Sequence, residues 1–234
     1  MEKLRYLCND IGIILDDTAL KRFNDYMNLV VEWNSKINLT SITEKNEFII
    51  KHFYDCLTVL SEVEIPQGAS LIDVGTGAGF PGIPLKIARP DINITLLDSL
   101  NKRLVFLNDY VLKSLGLSAQ VVHGRAEECS RKDEFREKFD FATSRAVANL
   151  SSLSEYCIPY VKVGGAFISM KGPDTSDEVN NAENAIKILG GKVNRVDELK
   201  LPDDSGRSII VIDKIKSTPE KYPRRGVKIN KSPL

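Results

Sequence analysis

Asp73, Gly75, Gly77 and Gly79 alternate with single residues in Ser70-Leu71-Ile72-Asp73-Val74-Gly75-Thr76-Gly77-Ala78-Gly79-Phe80-Pro81-Gly82, so one carboxylate stands directly ahead of three glycines. Glycines at this spacing let the backbone turn with positive φ, and they let a ligand approach with no Cβ in its way. Leu71, Ile72 and Val74 make a short apolar run of the kind buried on both faces of a parallel sheet. Pro81 and Pro84 suit a helix start, with Gly82 to Ala88 as the first two turns. Strand, glycine turn and helix in this order describe a cofactor loop.

Two cofactors compete for it. Gly77-Ala78-Gly79-Phe80-Pro81-Gly82 matches the G-x-G-x-x-G dinucleotide fingerprint, which is a weak signal alone. In a dinucleotide site the first fingerprint glycine closes the strand and the helix N-terminus faces a pyrophosphate. Here Gly75 closes the strand, directly after Asp73. The resulting Asp-x-Gly-x-Gly-x-Gly resembles motif I of class I S-adenosylmethionine-dependent methyltransferases, whose ligand brings an amino acid and a sulfonium instead of a pyrophosphate. A carboxylate beside the loop suits that ligand better. Asp98 ends the next predicted strand, Ile92 to Leu97, about 20 residues beyond the loop, where a carboxylate accepts ribose hydroxyls. Either cofactor would use it.

The elements that must position these groups are legible from periodicity. Residues 3 to 60 read as helical, with Leu4, Leu7 and Ile11 on one stripe and Leu20, Phe23, Met27, Val30 and Val31 on another after Asp16-Asp17-Thr18. Trp33 to Thr40 breaks that pattern with Asn34 and Asn38, an amide-rich loop that also suits a helix cap and turn. A third helix, capped by Thr43, carries Phe48, Ile49, Phe53, Leu57 and Leu60, together with His52.

From residue 68 strands and helices alternate, which predicts a parallel sheet covered on both faces. After the helix Lys102 to Leu115 come the strand Ala119 to His123 and the turn Gly124-Arg125-Ala126-Glu127-Glu128, expected beside an adenine. Phe139 to Thr143 is a strand ending in Ser144-Arg145-Ala146, without the Asn/Asp/Ser-Pro-Pro-aromatic motif usual where exocyclic amines of bases are methylated. Val163-Gly164-Gly165 reads as a turn into the strand Ala166 to Met170, which ends at Lys171. A helix over Ser176 to Leu189 precedes two runs, Lys192 to Leu201 and Arg207 to Lys214, whose short connection predicts an antiparallel pair. Seven strands closed by such a pair suit a methyltransferase sheet better than a dinucleotide-binding one. The expected fold is therefore α/β, a Rossmann-like, mostly parallel sheet, with a helical region over 1–66, the sheet domain over 67–215 and a tail over 216–234.

Lys plus Arg and Asp plus Glu balance at 32 each, so net charge gives no sign of a polyanion partner. The tail is different: Lys216, Lys221, Arg224, Arg225, Lys228 and Lys231 face the single acid Glu220, with Tyr222 and three prolines between them. Such a segment suits either a solvated terminus or contacts to a phosphate backbone. Because the glycine loop and Asp98 lie on the sheet, the tail is expected to be dispensable for cofactor binding. Cys8, Cys56, Cys129 and Cys157 form no C-x-x-C pair, and His52 and His123 lie far apart, so neither a disulfide framework nor a metal site is expected. No apolar stretch approaches the roughly 18 residues of a membrane span. The expectation is a soluble cytoplasmic protein.

Taken together, Trp33-Asn34, Asn38-Leu39-Thr40, His52-Phe53, Asp55, Asp73 to Gly82, Leu97-Asp98-Ser99, Lys102-Arg103, Arg125-Ala126-Glu127, Ser144-Arg145-Ala146, Lys171-Gly172, Tyr222-Pro223-Arg224-Arg225 and Lys231 to Leu234 resemble the bacterial ribosomal small-subunit methyltransferase G family, also called glucose-inhibited division protein B. The likeness covers nearly the whole chain. It implies S-adenosylmethionine as methyl donor, 16S rRNA or the small ribosomal subunit as partner, and N7 of guanine 527, by the conventional count, as the methylated atom. It further implies that Gly75, Phe80, Ala126, Glu127 and Arg145 contact the cofactor, joining Asp73, Gly77, Gly79 and Asp98. The sequence departs from the family at Cys56, where many relatives have Ser, and at Arg225 to Ile229, which lacks a Gly-x-Pro step.

Guanine N7 carries a lone pair and no proton, so the reaction requires no acid or base, only alignment. Arg145, Lys171, His52, Asn34 and Asn38 are the candidates for positioning the base or its backbone. The rival classes are a small-molecule methyltransferase, a nicotinamide oxidoreductase and a non-catalytic assembly factor. Oligomeric state leaves no mark in the sequence.

Overall fold

The computed structural model describes residues 1–145 and 148–234. Ala146, the last residue of the Ser144-Arg145-Ala146 stretch, falls outside them. The strands are β1 (Ser70–Val74), β2 (Asn93–Asp98), β3 (Gln120–His123), β4 (Phe139–Arg145), β5 (Val161–Lys171), β6 (Gly191–Lys200) and β7 (Gly206–Lys214). They form one sheet in the order β3-β2-β1-β4-β5-β7-β6. β7 runs antiparallel to both β5 and β6, and every other pairing is parallel. The chain moves outward from β1 to β3 and then returns to β4 on the other side of β1. The connections that leave β1 and β4 therefore diverge, which opens a crevice at the carboxyl ends of these strands.

Alternation along the strands divides the core in two. Leu71, Leu96, Ile168, Ile209 and Val211 face one layer, and their neighbours Ile72, Leu97, Phe167, Ile210 and Ile212 face the other. The first layer is built from α1 (Glu2–Asp10), α2 (Asp17–Ile37), α3 (Lys45–Phe48) and α4 (Asp55–Glu62), with α5 (Gly82–Ala88), α6 (Asn101–Val105) and α7 (Lys113–Leu115). The second consists of α8 (Ala126–Cys129), α9 (Leu150–Cys157) and α10 (Ser176–Ile188). Leu4, Phe23, Phe48 and Phe53, all fully buried, share one apolar cluster with Leu71 and Leu96. The N-terminal helices thus supply a face of the sheet's own core.

Several local expectations need correction. α2 continues through Trp33 to Ile37 and stops at Asn38, which adopts the left-handed conformation (φ 48°) while its N–H donates to the carbonyl of Asn34. The third helix is capped by Glu44, whose carboxylate accepts the Glu47 N–H at 2.7 Å, and not by Thr43. Between α3 and α4 the backbone winds as a π-helix over Ile49–Tyr54, and a second π segment, Phe106–Leu112, lies between α6 and α7. Val163-Gly164-Gly165 is a bulge inside β5 and not a turn before it: Phe139 pairs with Val161, but Phe141 pairs with Ala166. A Cβ on Gly165 would sit 2.2 Å from the Asp140 carbonyl, so the bulge requires glycine there.

The tail is ordered. α11 (Gly226–Lys231) packs on α9 through the buried Ile229, and Tyr222 is buried in the second layer. Arg224 is not available to solvent partners: its guanidinium makes a bidentate pair with Glu155, whose side chain is fully buried. Among the described residues no helix is long and apolar enough to cross a membrane.

Candidate active site

A cleft of about 580 Å³ opens over the carboxyl ends of β1, β2 and β4. Its floor is the glycine turn, where Gly75 and Gly77 take φ values of 75° and 60°. Among the described residues the only atom near a Cβ placed on Gly77 is the Gly75 carbonyl oxygen at 3.9 Å, so this face of the loop is open to a ligand. Gly79 has a different task. Its φ is +107°, and a Cβ there would meet Ile83, the Tyr26 hydroxyl and Leu107 at 2.7 to 2.9 Å. It lets the loop pack on the N-terminal helices and does not line the cleft.

Asp73 is a clamp on the loop. It is fully buried, and its Oδ2 accepts the Thr76 hydroxyl at 2.6 Å and the Gly82 N–H at 2.9 Å. Burial pushes its carboxyl up to about 6, against the opposing pull of those two donors. Asp73 does not line the cleft, contrary to the direct contact expected of it; among the described residues its buried Oδ1 has no partner.

Asp98 does face the cleft. Its Oδ2 accepts the Gly77 N–H at 2.9 Å, its Oδ1 accepts the Leu100 N–H at 2.8 Å, and Arg103 approaches at 3.5 Å. The strand-end carboxylate thus braces the glycine turn while lining the site. Phe80, Ala126, Glu127 and Arg145 line the same cleft.

Arg145, at the end of β4, is held from several sides. One nitrogen donates to the Lys51 carbonyl at 3.0 Å and to Asp55 Oδ2 at 3.2 Å, and the other meets His52 Nδ1 at 3.1 Å. Its guanidinium carbon lies 4.8 Å from the centre of the Phe80 ring. The second oxygen of Asp55 pairs with Arg207 at 3.2 Å. Arg145 can only donate, so His52 Nδ1 must accept; Nε2 then carries the proton and donates to the Thr40 hydroxyl, 2.7 Å away. Burial, reinforced by the Arg145 charge, pushes the His52 pKa down to about 3.

The remaining sequence candidates are engaged elsewhere. Lys171 donates to the Ala148 carbonyl at 2.5 Å and pairs with Glu178 at 2.7 Å, and it does not line the cleft. Asn34 spends its side-chain oxygen on the Leu39 and Thr40 N–H groups at 2.7 and 2.8 Å. Asn38 is exposed at the helix end. These two asparagines shape the loop that brings Leu39 to the cleft. Sequence reasoning passed over Tyr156 and Asn230, which also line it. Neither sits in a motif, so no local signal marked them.

The donors and acceptors suit an adenosyl ligand. Asp98 offers oxygen to ribose hydroxyls, the open turn at Gly75 and Gly77 admits a chain that carries an amino acid, and Ala126 and Leu153 supply apolar wall. This cleft, on a sheet closed by an antiparallel β7, defines a class I S-adenosylmethionine-dependent methyltransferase. Solved structures share the fold: precorrin-6y C5,15-methyltransferase of Geobacter metallireducens superposes with a TM-score of 0.52 at 18% identity over 68% of this chain and 87% of its own. TrmN of Thermus thermophilus does so with a TM-score of 0.53 at 14% identity over 71% and 53%.

Sequence carries the assignment further. Residues 19–209 match the family model of rRNA small subunit methyltransferase G, and the chain belongs to that family. Ribosomal RNA small subunit methyltransferase G of Desulforamulus reducens is 50% identical over 233 residues, covering 99% of this chain and 97% of the relative. The Clostridium perfringens SM101 protein of the same name is 47% identical over 232 residues, with the same coverage.

Proposed function

We propose that this enzyme methylates N7 of guanine 527 in the 16S rRNA of the small ribosomal subunit, in the cytoplasm where that RNA is assembled. The observation that carries the reading is the match to methyltransferase G relatives over nearly the full length; the cleft at the strand ends supports it. S-adenosylmethionine, when bound, supplies a methyl group on a positively charged sulfur. Asp98 would hold the ribose, Gly75 and Gly77 would leave room for the amino-acid end, and Ala126 and Glu127 would flank the adenine.

The imidazole of His52 and the thiol of Cys56 are not available as base or nucleophile. Both nitrogens of His52 are hydrogen-bonded within the protein, and burial pushes the Cys56 thiol far above its ordinary range. N7 attack needs neither group, because the nitrogen bears no proton. The protein's work is alignment. Arg145, fixed by Asp55, Lys51 and His52, is the cation best placed to meet the base, and it must do so through O6 so that N7 stays free. Such an approach suits a guanine that is unstacked in a loop. Arg225, Lys228 and Lys231, exposed on and beside α11, are free to meet phosphates, as are the exposed Lys216 and Lys221 earlier in the tail.

Borohydride followed by aniline cleaves RNA at 7-methylguanosine. Small-subunit RNA treated with the enzyme and S-adenosylmethionine should break at one guanine, and labelled RNA that resists cleavage would move the methyl group to another atom.

A further inference from the structure

The last residues of the chain reach the cofactor cleft, although nothing in their sequence suggests it. Residues 218–224 are strapped onto the second helical layer. Arg136 donates to the carbonyls of Thr218 at 2.7 Å and Tyr222 at 3.0 Å, and Arg131 donates to those of Lys221 at 3.0 Å and Pro223 at 2.5 Å. Arg224 completes the strap through Glu155: its backbone N–H donates to Oε1 at 2.6 Å, and its Nη2 to Oε2 at 2.7 Å. Because Glu155 is fully buried, its charge has to be met by this arginine, which fixes where α11 begins.

Two consequences follow at the cleft. Gly226 lies directly against Glu127, close enough that a Cβ would come within 2.1 Å of Oε1. The tail backbone is therefore the surface on which that cleft-lining carboxylate rests. One turn further on, Asn230 enters the lining of the same cleft beside Tyr156, whose hydroxyl donates to Asn230 Oδ1 at 2.9 Å. That bond turns the amide so that its NH₂ group has no side-chain partner among the described residues. Adenine presents ring nitrogens that accept and an exocyclic amine that donates. An amide NH₂ and a carboxylate lining one cleft match both.

We propose that the C-terminal helix is a wall of the cofactor site, in which Asn230, oriented by Tyr156, donates to the adenine and Gly226 seats Glu127 as the acceptor. Tyr156 and Gly226 are positioning residues, and Asn230 is a binding residue. The proposal rests on the cleft being the S-adenosylmethionine site. It reverses the expectation that the tail is dispensable for cofactor binding.

Calorimetry with S-adenosylhomocysteine and with adenosine tests it on four proteins: the full chain, a chain ending at Arg225, Asn230→Ala and Gly226→Val. Ending at Arg225 keeps the strap, and melting without ligand establishes that each variant is folded. The shortened chain should bind both ligands about tenfold more weakly, and Asn230→Ala about fivefold, as loss of a hydrogen bond predicts. The factor should be the same for both ligands, since both contain adenine and only one contains the amino acid. Gly226→Val should weaken binding by displacing Glu127. A folded shortened chain that binds both ligands within about twofold of the full chain overturns the proposal and leaves the cofactor site standing. If the shortened chain does not fold, unchanged affinity in both point variants overturns it. A full chain that binds neither ligand removes the cofactor site itself, and the proposal with it.

Discussion

His52 lies flat against Phe80, with ring centroids 4.5 Å apart and planes 15° from parallel. Phe80 belongs to the cofactor loop and His52 to the π-helical stretch of the N-terminal region, so this stack joins the helical layer to the floor of the cleft. The Tyr26 hydroxyl, which donates to the Ala78 carbonyl at 2.7 Å, adds a second tie between the same two parts. The N-terminal helices hold the loop in shape as well as covering the sheet.

The His52 contacts make a pH prediction. The folded chain keeps this imidazole neutral down to about pH 3, whereas an unfolded chain protonates it near 6.5. Between those values the unfolded state binds the extra proton, so stability is complete above 6.5 and falls as pH falls. From about pH 7.5 to about pH 5.5 the loss attributable to His52 is about 1.4 kcal/mol. His52→Gln keeps an acceptor for Arg145 and a donor for Thr40 but does not titrate. Urea unfolding at the two pH values should show the variant losing about that much less stability than the parent.

Asp98→Ala should weaken S-adenosylhomocysteine binding by at least about tenfold, because a charged acceptor for ribose hydroxyls is removed. The Gly77 N–H loses its partner at the same time, so the glycine turn should loosen and the ligand-free protein should melt lower. Calorimetry at a temperature where the variant is fully folded separates the two effects. Unchanged affinity there would show that the ribose is held elsewhere.

The basic tail should divide by burial. Arg225, Lys228 and Lys231 are exposed, so replacing all three with Ala should reduce the slope of log affinity against log salt by about 0.7 for each phosphate no longer neutralised, as for single-stranded RNA. Arg224→Ala should leave that slope unchanged and lower thermal stability instead, since it strands Glu155. Filter binding of a 16S rRNA fragment across a salt series distinguishes the two outcomes. An equal slope for the triple variant would place the RNA surface away from α11.

The sequence alone determined the glycine turn, the strand-end carboxylate at Asp98 and the strand alternation that yields the sheet. Each is a local requirement. Positive φ demands glycine, burial on two faces demands an apolar run, and side-chain period follows secondary structure. The tertiary structure decided which similar-looking residues do what. Gly75 and Gly79 are equivalent in the motif, yet one opens to the cleft and the other makes room for Tyr26. Arg145 and Lys171 both end strands, yet Arg145 lines the cleft while the lysine, turned to Glu178 and the Ala148 carbonyl, does not. Arg224 reads as one more basic tail residue until Glu155, 69 positions away, is found beneath it. Asn230 carries no motif and reaches the cleft only because that ion pair fixes the start of its helix. A hydrogen bond or ion pair between distant residues leaves no period or spacing in the chain, so these assignments exist only once the layers are packed.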